Sequence, residues 1–382
     1  MLKHFFRKRL GPDAPNVVFL LLDQFRNDAR PVHPVFAELG RRGCLFSETI
    51  TYAPYTLASM HATMTGMYGR MSGVDGYTKS DNFDAANVCT MPQYLQEAGY
   101  HTRGYTFSSI LVPHNGWDSL RIVPEDEETN ILESHQRELR EAFAQPKPFF
   151  AYIHYGEIHH AIIKTVLRKY TPWDEVYFGN KERNLEAYLK YAFDAGEHTA
   201  RILKTIDELD TSRKTLFIVQ ADHGGGVGEK PGEKAYGVFT YDYSIKIWLY
   251  LVASSLLPQG REFPMQVRTV DVLPTVLDLV GLQPSRKHKP PVGRSLMPII
   301  RGEETGHRLA FTETGGVEGP HPSPDASNVK AVRDGDWKLI YNTTTYAFEL
   351  YDLRKDPHEH HNVYTDHPEK AKELWGKMAE YL

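Results

Sequence analysis

Three apolar runs in this chain end in side chains that hold metal ions or move protons. Asn16-Val-Val-Phe-Leu-Leu-Leu runs into Asp23, Pro148-Phe-Phe-Ala-Tyr-Ile into His154, and Thr215-Leu-Phe-Ile-Val-Gln-Ala into the pair Asp222-His223. A short apolar, β-branched run that ends in a polar group is the pattern of a strand covered on both faces. In open α/β sheets, ligands bind outside the carboxyl ends of such strands. A single aspartate after a strand is commonly a turn former or helix cap. Three such ends together, one followed by Gly224-Gly225-Gly226, are hard to explain as caps. Carboxylate and imidazole groups gathered from separate strands suit a divalent cation such as Zn²⁺ or Mn²⁺. The glycines let the backbone pass close to metal or substrate.

A second constellation is Pro54-Tyr55-Thr56-Leu57-Ala58-Ser59-Met60-His61, then Thr65-Gly66, where a loop enters a helix. Thr56 reads either as an N-cap with Ser59 at N3, or as a nucleophile ionised by the metal, with the helix N-terminus stabilising the anion it attacks. The segment by itself favours the cap.

Several elements must position these groups. A fourth apolar run, Ile245–Val252, alternates enough to suggest a strand near a sheet edge. Helical patterns separate the strands at Val35–Arg42, Ser59–Met67, Met91–Ala98, Asn130–Ala144, Arg183–Leu209 and Val270–Val280. Strands alternating with helices predict an α/β sandwich around a mostly parallel or mixed sheet. Composition shifts at Gly281–Pro291 and again at Arg301–Gly306. Short strands then follow at Leu309–Thr314, Val329–Asp334 and Trp337–Asn342, with a closing helix over His367–Leu382. The predicted division is a catalytic α/β domain over 1–305 and a small α+β subdomain over 306–382. The Gly- and Pro-rich loop Gly315–Ser327 is placed to border the active site.

The chain has 382 residues, 41% hydrophobic and 12% aromatic, enough for a substantial core. The sum of 44 basic and 49 acidic residues gives −5, which argues against a dedicated nucleic-acid binder. Cys44 and Cys89 are too few for a disulfide framework and read as buried apolar residues. No run reaches the ~20 apolar residues of a membrane span. The basic start Met1–Pro15 lacks an apolar signal core, so the reading is cytoplasmic.

These motifs resemble the sulfatase family of the alkaline phosphatase superfamily, over nearly the whole chain. The family pattern of a strand ending in Asp-Asp, Cys/Ser-x-Pro-Ser-Arg with Thr-Gly, and His-x-x-Asp-Pro-His is met here by three segments. They are Asp23-Gln24, Thr56-Leu-Ala-Ser59-Met60 with Thr65-Gly66, and His154-Tyr-Gly-Glu157-Ile-His159. Asp222-His223-Gly224, Tyr241-Asp242-Tyr-Ser244 and Leu350-Tyr-Asp-Leu353 running to Asn362 match the later motifs. The resemblance implies an alkaline phosphatase/sulfatase-like sandwich and an ester hydrolase or transferase.

The departures narrow that implication. Thr56 stands where the family carries the Cys/Ser converted to formylglycine, and Ala58 and Met60 replace the proline and arginine of the maturation signature. No formylglycine is therefore expected. Gln24 replaces the second aspartate. Gly237 stands where a basic residue usually precedes the Tyr-Asp/Glu pair, leaving Lys230 and Lys234 as candidate sources of charge. A threonine nucleophile resembles the phosphoethanolamine and phosphoglycerol transferases of the superfamily. Their single-metal set corresponds to Asp23, Thr56, Asp222 and His223, around one ion of Zn, Mn, Ca or Mg.

The expected reaction is thus metal-dependent transfer at a phosphate mono- or diester, with Thr56 as nucleophile and His159 assisting the leaving group. His154, Lys230, Lys234 and Arg26 are assigned to the substrate side, His154 chiefly as a buttress; Arg26 has an equal alternative in a surface pair with Asp28. Sulfate ester hydrolysis is the alternative reaction, and a catalytically silent anion- or partner-binding relative is a third reading. The substrate would be a small anionic ester, with a glycan or lipid head group as candidates. His160 reads as exposed, and His358-Glu-His-His361 as a solvated turn.

Overall fold

The computed structural model describes residues 14–171, 173–210 and 214–382, so the basic segment at 1–13 lies outside it. Thirteen strands occur among the described residues. They are β1 (Asn16–Leu22), β2 (Cys44–Ile50), β3 (His101–Thr106), β4 (Ser119–Ile122), β5 (Phe149–Tyr155), β6 (Thr215–Ala221), β7 (Lys246–Val252), β8 (Arg261–Phe263), β9 (Val267–Arg268), β10 (Ala310–Thr314), β11 (Val329–Asp334), β12 (Trp337–Asn342) and β13 (Ala347–Asp352). The large sheet runs β4-β3-β5-β1-β6-β7-β2-β8, with β9 also paired to β2.

β1 shows how the sequence builds this layer. All seven of its residues are buried. Val18, Leu20 and Leu22 enter one apolar cluster, while Val17, Phe19 and Leu21 enter another on the opposite face. That is the two-residue period of a strand covered on both sides. β1 pairs in parallel with β5 and β6, so the ends of all three strands open on one rim. The parallel part of the sheet is therefore legible in the sequence. Its mixed character comes from β7, which runs antiparallel to both β6 and β2.

The expectation that β7 lies near an edge is corrected. It sits between β6 and β2, with Ile247, Trp248 and Leu249 each 0% exposed. Its alternation reflects two different buried faces, not one wet face. The C-terminal sheet, β10-β11-β12-β13, is antiparallel and is packed by the helix Pro368–Ala379 through Ala371, Leu374 and Met378. β13 is a fourth strand beyond the three expected in this subdomain. Cys44 and Cys89 are buried and free.

Candidate active site

Register brings the chemistry together. Leu22 of β1 lies opposite Tyr155 of β5 and Ala221 of β6, so Asp23, His154 and Asp222 meet at one rim. Asp23 is anchored by its own backbone N–H, which donates to the Tyr155 carbonyl at 3.0 Å. The next residue, Gln24, takes a left-handed φ of 61°, an unfavourable conformation for a residue with a Cβ. Two bonds hold it there: its N–H donates to Asp222 Oδ1 at 2.9 Å, and its carbonyl accepts from the Tyr188 hydroxyl at 2.7 Å.

Asp23, Asp222 and His223 each present one ligand atom, all within 4.8 Å of one another, and all three residues are buried. His223 Nδ1 lies 2.6 Å from the Gly224 carbonyl, which assigns its proton to Nδ1 and leaves the Nε2 lone pair facing the carboxylates. That Nε2 is 3.6 Å from Asp23 Oδ1 and 3.6 Å from Asp222 Oδ2. Asp23 Oδ1 and Asp222 Oδ2 are buried without a hydrogen-bond partner. Orphaned anionic oxygens in a dry site are costly, and a divalent cation between them would satisfy both. Gln24 adds a buried carboxamide whose Oε1 and Nε2 also lack partners. The donor set fits a divalent ion bound by oxygen and imidazole nitrogen.

The titration behaviour follows from the same geometry. Burial pushes the Asp23 carboxyl up, but His159, His154 and His223 together outweigh it and hold the group well below the usual carboxylate range. Burial and the Asp23 charge push Asp222 the other way, upward. Two adjacent carboxylates thus sit in opposite environments, the expected response when like charges share a dry site without a cation.

Helix α2 (Thr56–Thr65) is buried along its whole length, so no polar face competes for solvent. Thr56 is its first residue. The N-cap position belongs to Tyr55, whose side chain makes no capping bond, so the capping reading of Thr56 is corrected. The Thr56 hydroxyl instead donates toward Asp23 Oδ2 at 3.3 Å and lies 3.4 Å from His223 Nε2. Ser59, also expected in the cap, donates to the Asp222 carbonyl at 2.8 Å and ties α2 to the end of β6. Of the glycines after His223, Gly224 is sterically required. A Cβ at Gly224 would fall 2.0 Å from the Tyr243 carbonyl oxygen, and one at Gly225 would fall 2.6 Å from Gln24 Nε2.

Of the residues expected on the substrate side, the structure brings His154 and His159 to the cluster. His154 is fully buried, with Nε2 3.1 Å from Asp23 Oδ2 and Nδ1 3.2 Å from the Thr106 hydroxyl. It buttresses Asp23 and has no face left for substrate. His159 Nδ1 is 3.8 Å from Asp23 Oδ1, and its side chain is 15% exposed. The basic residues stand apart. Arg26 is held by Asp28, by Glu229 at 2.7 Å and by the Gly225 carbonyl at 2.7 Å, so its guanidinium braces the glycine loop from behind. Lys230 donates to the Glu359 carbonyl and lies over the Tyr241 ring. Lys234 donates to the Tyr170 carbonyl and is 3.9 Å from Glu318. His160 pairs loosely with Glu125 at 4.0 Å.

Tyr236 and Tyr77 are neighbours of the site that sequence reasoning missed. The Tyr236 ring lies 5.0 Å from the His159 ring and 5.2 Å from the His223 ring. Tyr77 stacks at 3.9 Å on Tyr55, the residue just before Thr56. Neither tyrosine had a spacing signal, because loops carry both. Gln24 was visible as a departure from the Asp-Asp pair, though its orphaned amide was not.

The family model described as Sulfatase matches residues 15–282. The chain belongs to the sulfatase family. Residues 235–382 match a second model, described as N-sulphoglucosamine sulphohydrolase, C-terminal. A sulfatase of Formosa agariphila is 21% identical over 91% of this chain and 82% of its own length. A Delta 4,5-hexuronate-2-O-sulfatase of Bacteroides thetaiotaomicron is 26% identical over 51% of this chain and 39% of its own. Among solved structures, a 2-O GAG sulfatase superposes with a TM-score of 0.77 at 17% identity, covering 97% of this chain and 92% of that one. The phosphonate monoester hydrolase of Agrobacterium radiobacter reaches 0.76 at 17% identity, covering 96% and 95%. The sulfatase-like sandwich expected from the motifs is thus the fold of this sulfatase-family chain, with β1, β5 and β6 carrying the candidate site. Among the described residues, no helix is long and apolar enough to cross a membrane.

Proposed function

We propose that this chain is a metal-dependent hydrolase of sulfate esters, with Thr56 as the attacking group. The observation that carries the reading is the Thr56 hydroxyl, first in a buried helix and within reach of both Asp23 and His223. Asp23, Asp222 and His223 would hold the ion, with Gln24 as a neutral oxygen donor. When bound, the ion supplies charge neutralisation and favours the ionised threonine.

Ionised Thr56 Oγ1 bonds to sulfur as the bond from sulfur to the alcohol oxygen breaks. His159 gives a proton to the departing alcohol. It then takes one from the water that attacks the same sulfur, releasing hydrogen sulfate and restoring Thr56. The N-terminal N–H groups of α2 face the developing charge. The alcohol is proposed to be a saccharide. Relatives described as a Delta 4,5-hexuronate-2-O-sulfatase and an ulvan-active sulfatase support this class, as does a structural neighbour in complex with D-glucosamine-2-N,6-O-disulfate.

A second reading, hydrolysis or transfer at a phosphonate or phosphate ester, is favoured by Thr56 itself. Threonine has one hydroxyl, so a sulfated Thr56 requires a second attack at sulfur, which phosphorus accepts more readily. The sequence put phosphorus first; the family match and the named relatives favour sulfate. A panel of sulfate, phosphonate and phosphate esters on metal-reconstituted protein tests both. Sulfate ester turnover that disappears on chelation and in Thr56→Ala is expected. Phosphonate or phosphodiester turnover without sulfate turnover transfers the assignment to the second reading. No turnover of any ester by metal-loaded protein overturns both.

A further inference from the structure

The cluster is unusual for an anion site in what faces it. The basic side chains expected there are engaged elsewhere: Arg26 with Asp28 and Glu229, Lys230 with the Glu359 carbonyl, and Lys234 with the Tyr170 carbonyl and Glu318. No side chain fits at Gly237. Its φ is 87°, and a Cβ there would fall 2.1 Å from the Tyr77 hydroxyl oxygen. The space a side chain at 237 would enter is filled by the Tyr77 phenol. The Gly237 carbonyl accepts from Thr314, which fixes the loop against that phenol.

Tyr77 and Tyr236 flank the cluster, one stacked on Tyr55 and the other against His159 and His223. Among the described residues, neither phenol hydroxyl has a hydrogen-bond partner. Both hydroxyls feel the Asp23 charge, and Tyr236 also feels Glu125 and Glu318. Neutral donors therefore stand beside two carboxylates, with further acidic groups outside them.

We infer that Tyr77 and Tyr236 are the donors that bind the non-bridging oxygens of the ester, and that they make the site selective for monoanionic over dianionic esters. The inference deepens the proposed function, since it rests on the cluster being the ester site. With His159 unprotonated, two carboxylates and one divalent ion sum to zero charge. A monoanionic sulfate ester, phosphonate monoester or phosphodiester then brings one negative charge, which two phenol donors can share. A phosphate monoester above its second pKa of about 6 brings two. The extra charge meets Asp23 and Asp222 without an arginine or lysine among the described residues to balance it, and like-charge juxtaposition is strongly disfavoured. The selectivity holds for sulfur and phosphorus alike.

Metal-loaded Thr56→Ala protein, which cannot turn substrate over through Thr56, is the binding platform. Calorimetric titration at pH 8 would compare phenyl sulfate, phenyl methylphosphonate and phenyl phosphate. The two monoanions should bind at least roughly tenfold more tightly than dianionic phenyl phosphate. Adding Tyr77→Phe and Tyr236→Phe should weaken monoanion binding by roughly tenfold or more, as expected for losing hydrogen bonds to a charged group. Metal content by elemental analysis should stay unchanged in these variants, which separates a donor role from collapse of the cluster. Equal binding of the dianion, or unchanged monoanion affinity in the phenylalanine variants, overturns the inference while leaving the ester site standing. Failure of every ester to bind metal-loaded protein overturns the proposed function itself.

Discussion

Replacing Asp222 by asparagine should stabilise the metal-free protein and abolish its stabilisation by metal. Asp222 Oδ1 accepts two backbone N–H groups, from Gln24 at 2.9 Å and His223 at 2.8 Å, and an asparagine oxygen can keep both. Oδ2 is buried without a hydrogen-bond partner and Asp222 feels the Asp23 charge, so an amide there relieves a repulsion. Relieving an uncompensated buried charge is worth about 1–3 kcal/mol. Unfolding entropy of about 2.1 cal/mol/K per residue over 382 residues gives about 0.8 kcal/mol/K. The metal-free variant should therefore melt about 1–4 °C above metal-free wild type at pH 8. Wild type at a metal concentration 100 times its Kd gains about 2.7 kcal/mol, or about 3 °C. The variant should gain almost none of this. Calorimetric melts with and without added Zn²⁺ or Mn²⁺ give all four values. An equal metal-induced rise in both proteins would refute the ligand role, and a metal-free variant less stable than wild type would refute the electrostatic reasoning.

His159→Ala should lower kcat for esters of poor leaving groups by roughly 10²–10⁴ and much less for aryl esters, read from a leaving-group series. An equal loss across the series would exclude a proton-transfer role. Burial pushes Glu233 up to about 7, despite bonds from the Tyr243 hydroxyl and the Val238 and Phe239 N–H groups. A raised folded pKa adds stability below the ordinary carboxylate range that is lost as pH rises through about 7. Glu233→Gln should flatten that decline in urea melts between pH 4 and 8. Replacing His358, His360 and His361 by alanine should leave Tm nearly unchanged, because all three are exposed. Lys338→Met should instead cost about 3–5 kcal/mol, because buried Lys338 pairs with Asp242 at 2.7 Å and Glu359 at 2.5 Å. Retained metal in the histidine variant would confirm that the cluster is not a ligand set.

Much of this site is legible along the chain because local rules dictate it. The continuous apolar runs of β1, β5 and β6 demand a sheet covered on both faces. Parallel pairing then places Asp23, His154 and Asp222-His223 on one rim, so the cluster could be named from residue order. The helices expected at Met91–Ala98 and Val35–Arg42 form within a residue of those bounds. β3, His101-Thr-Arg-Gly-Tyr-Thr, carries too few apolar residues to declare itself, and its pairing with β4 and β5 makes it a strand. The same limit applies to side chains whose partners are remote in sequence. Whether Arg26 faced substrate or protein depended on Glu229 and the Gly225 carbonyl, about 200 residues away. Whether Thr56 capped its helix or faced the cluster depended on where α2 begins relative to β1 and β6. Tyr77 is adjacent to Gly237 only because two loops cross. Residue types and periodicity determined which groups could do chemistry, since they encode burial and strand ends. Tertiary packing decided which charges remain for a ligand, since Lys230 and Lys234 are consumed by partners remote in sequence, and Arg26 by Glu229 and the Gly225 carbonyl as well as by its neighbour Asp28.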